Sequence, residues 1–358
     1  MDLVSFYRGK TVLITGGTGT VGAELARQLL QLGAAEVRLL DHNESAIFLV
    51  FERNRSDDRI RPFVGDVRDA GKLRRVMHGC DVVFHAAALK HVYLGEFNPF
   101  DIVQTNILGV QNVIEAALEE EVDHVVFTSS DKAVNPTNVM GTSKLMGERL
   151  MTAAQSMRGS HRATFASTRF GNVVGSAGSV VPLFAEQIRD GGPVTLTDRR
   201  MTRFMMTIQE AAELVLKAAP LAKGGEVFVT KMPVIRIADL ARVMVEALAP
   251  AYGHAQEAVE IVEIGSKPGE KLYEELMSDE ETRRALELDE QFVILPAIQA
   301  NYKEERLTSY PGLISTEVDR PYVSEAEPTL DRDAVRAFLK SCHCLHPDHI
   351  PPVAHASA

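Results

Sequence analysis

Apolar and polar positions alternate with two different periods along the first half of the chain. Short apolar runs, rich in β-branched residues, stand at 11–15, 37–40, 82–85 and 125–128. Their length and flanking glycine or polar residues predict strands buried on both faces. Between them, 21–32, 70–77 and 101–118 repeat apolar residues at helical spacing,. Strand–helix alternation with short connections predicts an α/β fold, a doubly wound parallel sheet of Rossmann type covered by helices. Ligands of such sheets lie beyond the carboxyl ends of the strands, so polar motifs at those ends are the first candidates for chemistry.

After Arg169 the alternation loosens. Residues 171–182 are rich in glycine and serine, 191–203 are polar, 205–219 read as a helix, and 227–229 and 259–264 read as strands. This predicts a first domain over 1–170, with 205–235 returning to it. A smaller mixed α/β substrate lobe is expected over 171–204 and 236–340, and a tail over 341–358. Beyond residue 325 only 331–339 predict a helix, and no internal repeat is present.

The first strand runs into Gly16, Gly17, Thr18, Gly19, Thr20, Val21 and Gly22. Glycine at 16, 19 and 22 permits a tight turn and lets backbone approach a pyrophosphate at the following helix N-terminus. Asp41 closes the second strand, where a carboxylate binds adenosine ribose hydroxyls and repels a 2′-phosphate, favouring NAD over NADP. Capping of the next helix by Asp41-His42-Asn43-Glu44 fits the same residues. Asp66 and Val67 follow the third strand, at the position of a contact to adenine. Ala86, Ala87 and Ala88 end the fourth strand with the small side chains that a close cofactor requires.

After the fifth strand come Ser129, Ser130, Asp131 and Lys132, then Ala-Val-Asn-Pro, and then Met140 and Lys144 at a spacing of four. Together with GGTGTVG, HAAALKHV, RFGNVVGSAGSVVPLF, MTRF and KPGEKLYEEL, this segment resembles the nucleotide-sugar branch of the extended short-chain dehydrogenase/reductase superfamily. More narrowly, it is similar to the bacterial UDP-N-acetylglucosamine 4,6-dehydratases of surface-polysaccharide biosynthesis, in their methionine-containing subset. The matching segments span 11–277.

The resemblance implies a redox-neutral reaction on a UDP-N-acetylhexosamine. Hydride leaves carbon 4 for NAD, water is lost across carbons 5 and 6, and hydride returns to carbon 6. Lys132 takes the family's place of the base and Asp131 that of the acid, and burial would move both toward those roles. Lys144 matches the lysine that holds the nicotinamide ribose. Met140 stands where relatives usually have tyrosine and cannot exchange a proton, so Ser130 with a water is the expected relay. The resemblance also implies substrate contacts at Lys90, Asn172, Val180, Val181, Pro182, Thr197, Arg203, Lys267 and Glu270. Relatives commonly carry arginine at position 267, and lysine lacks its bidentate fork. The second-strand end and 138–140 look more like family members that retain configuration at carbon 5.

Two other functions fit part of the same pattern. A UDP-sugar 4-epimerase shares the oxidation at carbon 4, but has no need of a carbon 5 base such as Lys132. Against a non-catalytic NAD-binding regulator stand Asp131, Lys132 and Lys144, present together.

The formal charge of −11 argues against a nucleic-acid or membrane-surface partner,. No run reaches the roughly 18 apolar residues of a spanning helix. The first residues enter a strand too soon for a secretory signal, so a cytoplasmic protein is expected. Relatives assemble, which makes a homo-oligomer the expectation. Three cysteines are too few for a disulfide framework,. Cys342, Cys344, His346 and His349 have zinc-ligand chemistry, but they are expected to lie in a solvated tail, with no metal site.

Overall fold

The computed structural model describes residues 2–176, 179–265, 269–297 and 309–350. It divides into two compact units, Met1–Phe170, Ala211–Lys231 and Leu276–Pro321 in the first, and Gly171–Glu210, Met232–Glu275 and Tyr322–Ala358 in the second.

The first unit is built on six strands: β1 (Thr11–Thr15), β2 (Glu36–Asp41), β3 (Ile60–Val64), β4 (Val82–His85), β5 (His124–Ser130) and β6 (Thr164–Phe170). Helices α1 (Leu3–Tyr7), α2 (Thr20–Gln31), α3 (Glu44–Arg53), α4 (Ala70–Met77), α5 (Val92–Phe97), α6 (Pro99–Ile102), α7 (Gly109–Glu119) and α8 (Val139–Met157) lie before and between them. The strand order 3-2-1-4-5-6 is that of a doubly wound dinucleotide-binding sheet,. All neighbours among these strands run parallel, for example Val12 beside Val37 on one side and Val82 on the other. Leu13, Val83, Val125 and Phe165 pack with Leu73, Met77, Val110 and Val113 of α4 and α7. The alternation in sequence is therefore the burial of both sheet faces.

Two expectations for this unit change. The helix expected over 101–118 is α6 and α7 joined by a π-helical stretch, Val103–Leu108. Residues 276–321, expected in the substrate lobe, belong here. Val227–Thr230 extends the sheet in parallel beside β6, and Gln291–Ile294, Ala285–Leu288 and Leu313–Ser315 then add on antiparallel, giving ten strands. Ala285–Leu288 and Gln291–Ile294 are joined by residues 289–290 alone, so no strand–helix rhythm marks this hairpin in sequence,.

In the second unit, helices Val180–Arg189, Ile237–Ala251 and Arg332–Ser341 share a core containing Val181, Phe184, Leu240, Met244, Val335 and Leu339. Strands Val234–Arg236, Thr202–Met206 and Asn172–Val173 form a small sheet. Met205 and Met206, expected to open a helix, are strand residues, and the helix runs over Ile208–Leu221. A short buried apolar run does not reveal its period, and here pairing on both edges decides it,. The solvated tail expected from 341 is also corrected, because Cys344 lies in the core of this unit. Burial pushes its thiol up to about 12, which disfavours the thiolate that a metal would need,.

Candidate active site

The turn after β1 is made of backbone. Gly16 has φ +68°, and a Cβ on it would stand 2.7 Å from the Ala87 amide nitrogen. A Cβ on Gly22 would stand 2.2 Å from the Gly16 carbonyl oxygen. The turn, the start of α2 and the Ala86–Ala88 strand end are thus in contact at distances only glycine permits. Gly19 is the N-cap of α2 and provides no side chain to take the amides of the first turn,. Thr20, Val21 and Gly22 form that first turn.

Asp41 is buried, and its Oδ2 accepts from the Thr18 amide and hydroxyl at 3.2 and 2.6 Å. Its Oδ1 accepts from the Asn43 amide at 3.1 Å. The cap of α3 is Asn43, whose side chain accepts from the Ala46 amide, so Asp41 is not the capping residue. A ribose hydroxyl would meet a carboxylate already oriented by the glycine turn. Asp66 is gripped by Arg68 through both side-chain oxygens, and this arginine lowers its pKa. Val67 is a core residue against Gly109.

The turn after β5 is made of side chains. Asp131, 1% exposed, receives the Ser130 hydroxyl at 2.5 Å, the Lys132 amide at 2.9 Å and the Lys132 ammonium at 3.0 Å, all on Oδ1. Oδ2 is buried and has no hydrogen-bond partner. A buried carboxylate oxygen without a donor is costly unless it is protonated or meets a ligand donor. Asn138 caps α8 by accepting from the Gly141 amide at 2.7 Å. A Cβ on Gly141 would stand 2.2 Å from the Lys132 carbonyl oxygen. The first turn of α8 therefore rests directly on the backbone of the Asp-Lys turn.

Lys144 is buried, donates to the Thr128 carbonyl at 2.9 Å and stands over the Phe127 ring. Burial lowers its pKa to about 8, against the pull of Glu148. Met140 is 3% exposed in the same first turn. Sequence reasoning expects Asp131, Lys132, Ser130, Met140 and Lys144 together, and all five stand on this one turn and helix.

Three contributors were not expected. Asn106, buried in the π-helical stretch, accepts from the Leu89 amide, donates to the Leu89 carbonyl and donates to Ser143 Oγ. It ties the end of β4, and with it Lys90, to α8. Its signal in sequence is a polar residue in register with Ile102 and Val110 on an apolar helix face. Arg169, 1% exposed, spends its guanidinium on both oxygens of Glu148 and Glu281 and on the Leu276 carbonyl. Glu96 holds the Val139 amide at the start of α8. Lys90 is itself exposed as a residue, yet burial around its ammonium lowers its pKa.

The expected substrate contacts lie mostly in the second unit. Asn172 and Thr197 are half-buried, Glu270 is exposed, and Lys267 lies outside the described residues. Val180 opens a helix, whereas Val181 and Pro182 are buried, with Val181 in the core. Arg203 donates to the carbonyls of Thr202, Leu272 and Lys271 and to Met201 Sδ, and its Nε lies 3.4 Å from Glu274 Oε1. It braces the 271–274 segment.

A doubly wound sheet, a glycine turn at β1 and a serine-to-lysine segment across β5 and α8 define an extended short-chain dehydrogenase/reductase fold. The chain belongs to the polysaccharide biosynthesis protein family, which matches residues 12–296. It is 53% identical to an "Uncharacterized membrane protein MJ1061" of Methanocaldococcus jannaschii over 82% of this chain and 88% of that protein. A "UDP-N-acetylglucosamine 4,6-dehydratase (inverting)" of Campylobacter jejuni is 38% identical, with 82% and 85% covered. A "UDP-glucose 4-epimerase" of Rickettsia canadensis is 40% identical, with 80% and 82% covered. Among solved structures, Pen from Bacillus thuringiensis is 42% identical with a TM-score of 0.88, covering 95% of this chain and 99% of that one. A Thermus thermophilus UDP-glucose 4-epimerase, solved in complex with NAD, is 25% identical with a TM-score of 0.61, covering 73% and 88%. Among the described residues, no helix is long and apolar enough to cross a membrane.

Proposed function

We propose that the chain is an NAD-dependent nucleotide-sugar 4,6-dehydratase acting on UDP-N-acetylglucosamine for surface-glycan biosynthesis. The observation that carries the reading is the Asp131–Lys132 turn, with its buried, unpartnered carboxylate oxygen beside an amine and a hydroxyl. The glycine cradle, the uncapped first turn of α2 and the Asp41 carboxylate fit a dinucleotide without a 2′-phosphate,. When bound, NAD supplies a hydride acceptor at carbon 4 and a donor at carbon 6.

Every proton step falls to side chains of this chain. Ser130 takes the carbon 4 hydroxyl proton and hands its own to Asp131 Oδ1, along the hydrogen bond already formed between them. Asp131 then gives that proton to the carbon 6 hydroxyl, which leaves as water. Lys132, in its neutral form, takes the carbon 5 proton and returns it to carbon 5 when hydride reaches carbon 6. Protons and electrons balance, and one water is released. Met140 then needs no proton chemistry, and Lys144 is left to hold the nicotinamide ribose with its ammonium.

Retention of configuration at carbon 5 and a homo-oligomeric state belong to the same proposal and rest on the family resemblance. The test is incubation with UDP-N-acetylglucosamine, followed by mass spectrometry and proton NMR. The expected product is lighter by one water and keeps the ring couplings of retained carbon 5. A second reading, UDP-sugar 4-epimerase, is favoured by the similarity to the Rickettsia protein. It gives a product of unchanged mass, which would end the dehydratase reading.

A further inference from the structure

We infer that Glu96 is a positioning residue for the reaction, acting as the tether between the segment after β4 and the first turn of α8. The inference rests on the dehydratase reading for its effect on turnover, but the tether itself is geometric. Glu96 lies on α5, which begins two residues after Lys90 and buries only Gly95. The remaining large side chains of α5, Tyr93, Leu94 and Phe97, are exposed, so packing does little to hold this helix,. Glu96 Oε1 accepts from the Val139 amide at 2.7 Å.

Val139 is the first residue of α8, and Gly95 lies beside Met140, since a Cβ on it would be 3.8 Å from Met140 Cβ. Asn138 takes the Gly141 amide in the same turn. Two of the amides left open at the start of α8 are therefore satisfied by two different elements. One bond is local to the helix. The other reaches back to α5.

Two ties then converge on α8 from the end of β4. Asn106 links Leu89 to Ser143, and Glu96 links α5 to Val139. Lys90 stands between these two anchor points along the chain, so both constrain the backbone that carries it. A carboxylate at a helix N-terminus is also favoured by the helix dipole. Because Glu96 is exposed, it can be replaced without opening the core.

The experiment compares the full chain with Glu96→Ala and Glu96→Gln. Steady-state kinetics with UDP-N-acetylglucosamine are read beside hydrogen–deuterium exchange of a peptide covering 139–143. For Glu96→Ala we expect kcat to fall roughly tenfold to hundredfold, as for a small misplacement of reacting groups. KM should change less, and exchange at the start of α8 should quicken. Glu96→Gln, whose amide oxygen can still accept from the Val139 amide, should restore both readouts.

Unchanged kcat and exchange in Glu96→Ala would overturn the inference. So would a thermal midpoint that falls while kcat per folded molecule stays at the wild-type value, since that is a structural role alone. If the wild-type chain yields no dehydrated product, the dehydratase reading fails by itself. The tether is then decided by the exchange comparison, where faster exchange in Glu96→Ala and its reversal in Glu96→Gln support it and no difference refutes it.

Discussion

The turns after β1 and β5 face the same end of one sheet but are built from opposite materials. At β1 the ligand surface is backbone, and Gly16 and Gly22 matter because nothing else fits. At β5 it is a cluster of side chains, a buried Asp131 between half-buried Ser130 and Lys132, held down by α8. A pyrophosphate has charge but needs no chemistry done to it, so amides and a helix N-terminus suffice. A sugar that must lose water needs groups that give and take protons, and those are side chains. Substitutions therefore break the two turns in different ways.

Asp131→Asn should have the largest effect. It keeps the shape of the turn but cannot accept and deliver the proton, and turnover should fall by roughly 10² to 10⁴. Dinucleotide binding, read by fluorescence titration, should stay near wild type. A loss of binding equal to the loss of turnover would show that the two turns are not separable.

Arg169→Met should come next, on stability. It leaves Glu148 and Glu281 buried without the guanidinium they share, which costs about 3–5 kcal/mol,. Chemical denaturation measures it, and a midpoint within error of wild type would remove the network from the account of how α8 is held. Gly22→Ala reverses the Asp131→Asn pattern. Its Cβ would meet the Gly16 carbonyl, so overpacking of about 1–3 kcal/mol is expected together with weakened dinucleotide binding. Ser130→Ala should slow turnover about tenfold or more if the hydroxyl relays the carbon 4 proton, the low end of the range for a lost proton-transfer group. Full turnover would remove the relay.

The smallest effect is a pH dependence at Lys144. Burial lowers its pKa to about 8, so raising the pH from 8 toward 10 strips the ammonium and should weaken dinucleotide binding. Stability moves the other way. Between about 8 and the ordinary lysine value near 10.5, the unfolded chain holds the proton that the folded chain has released, so the contribution of Lys144 to stability rises with pH across that window,. Below about pH 8 its cost is present in full. In Lys144→Met both trends should flatten.

What could be read in advance follows from how local each signal is. The glycine spacing of the β1 turn and the Asp131-Lys132 pair lie within a few residues of strands whose apolar runs are plain, so both turns were legible. The return of 276–321 was not, because its short antiparallel strands lack the strand–helix rhythm,. The bonds of Arg203 were not legible either, because its partners, the carbonyls of Lys271 and Leu272, lie far along the chain. Cys344 looked like a tail residue because its neighbours are polar in sequence, whereas apolar side chains such as Leu339 surround it in space.

The sequence by itself determined the doubly wound sheet and the glycine turn, and it supplied the groups to which the proposed reaction assigns its proton steps, because periodicity and motif spacing are local properties of the chain. Only the tertiary structure decided which oxygen of Asp131 is left without a donor, that Glu148 and Glu281 share Arg169, and that Asn106 and Glu96 fasten the β4 end to α8. Those relations join residues tens of positions apart, and burial and hydrogen-bond satisfaction act only once such residues are brought together.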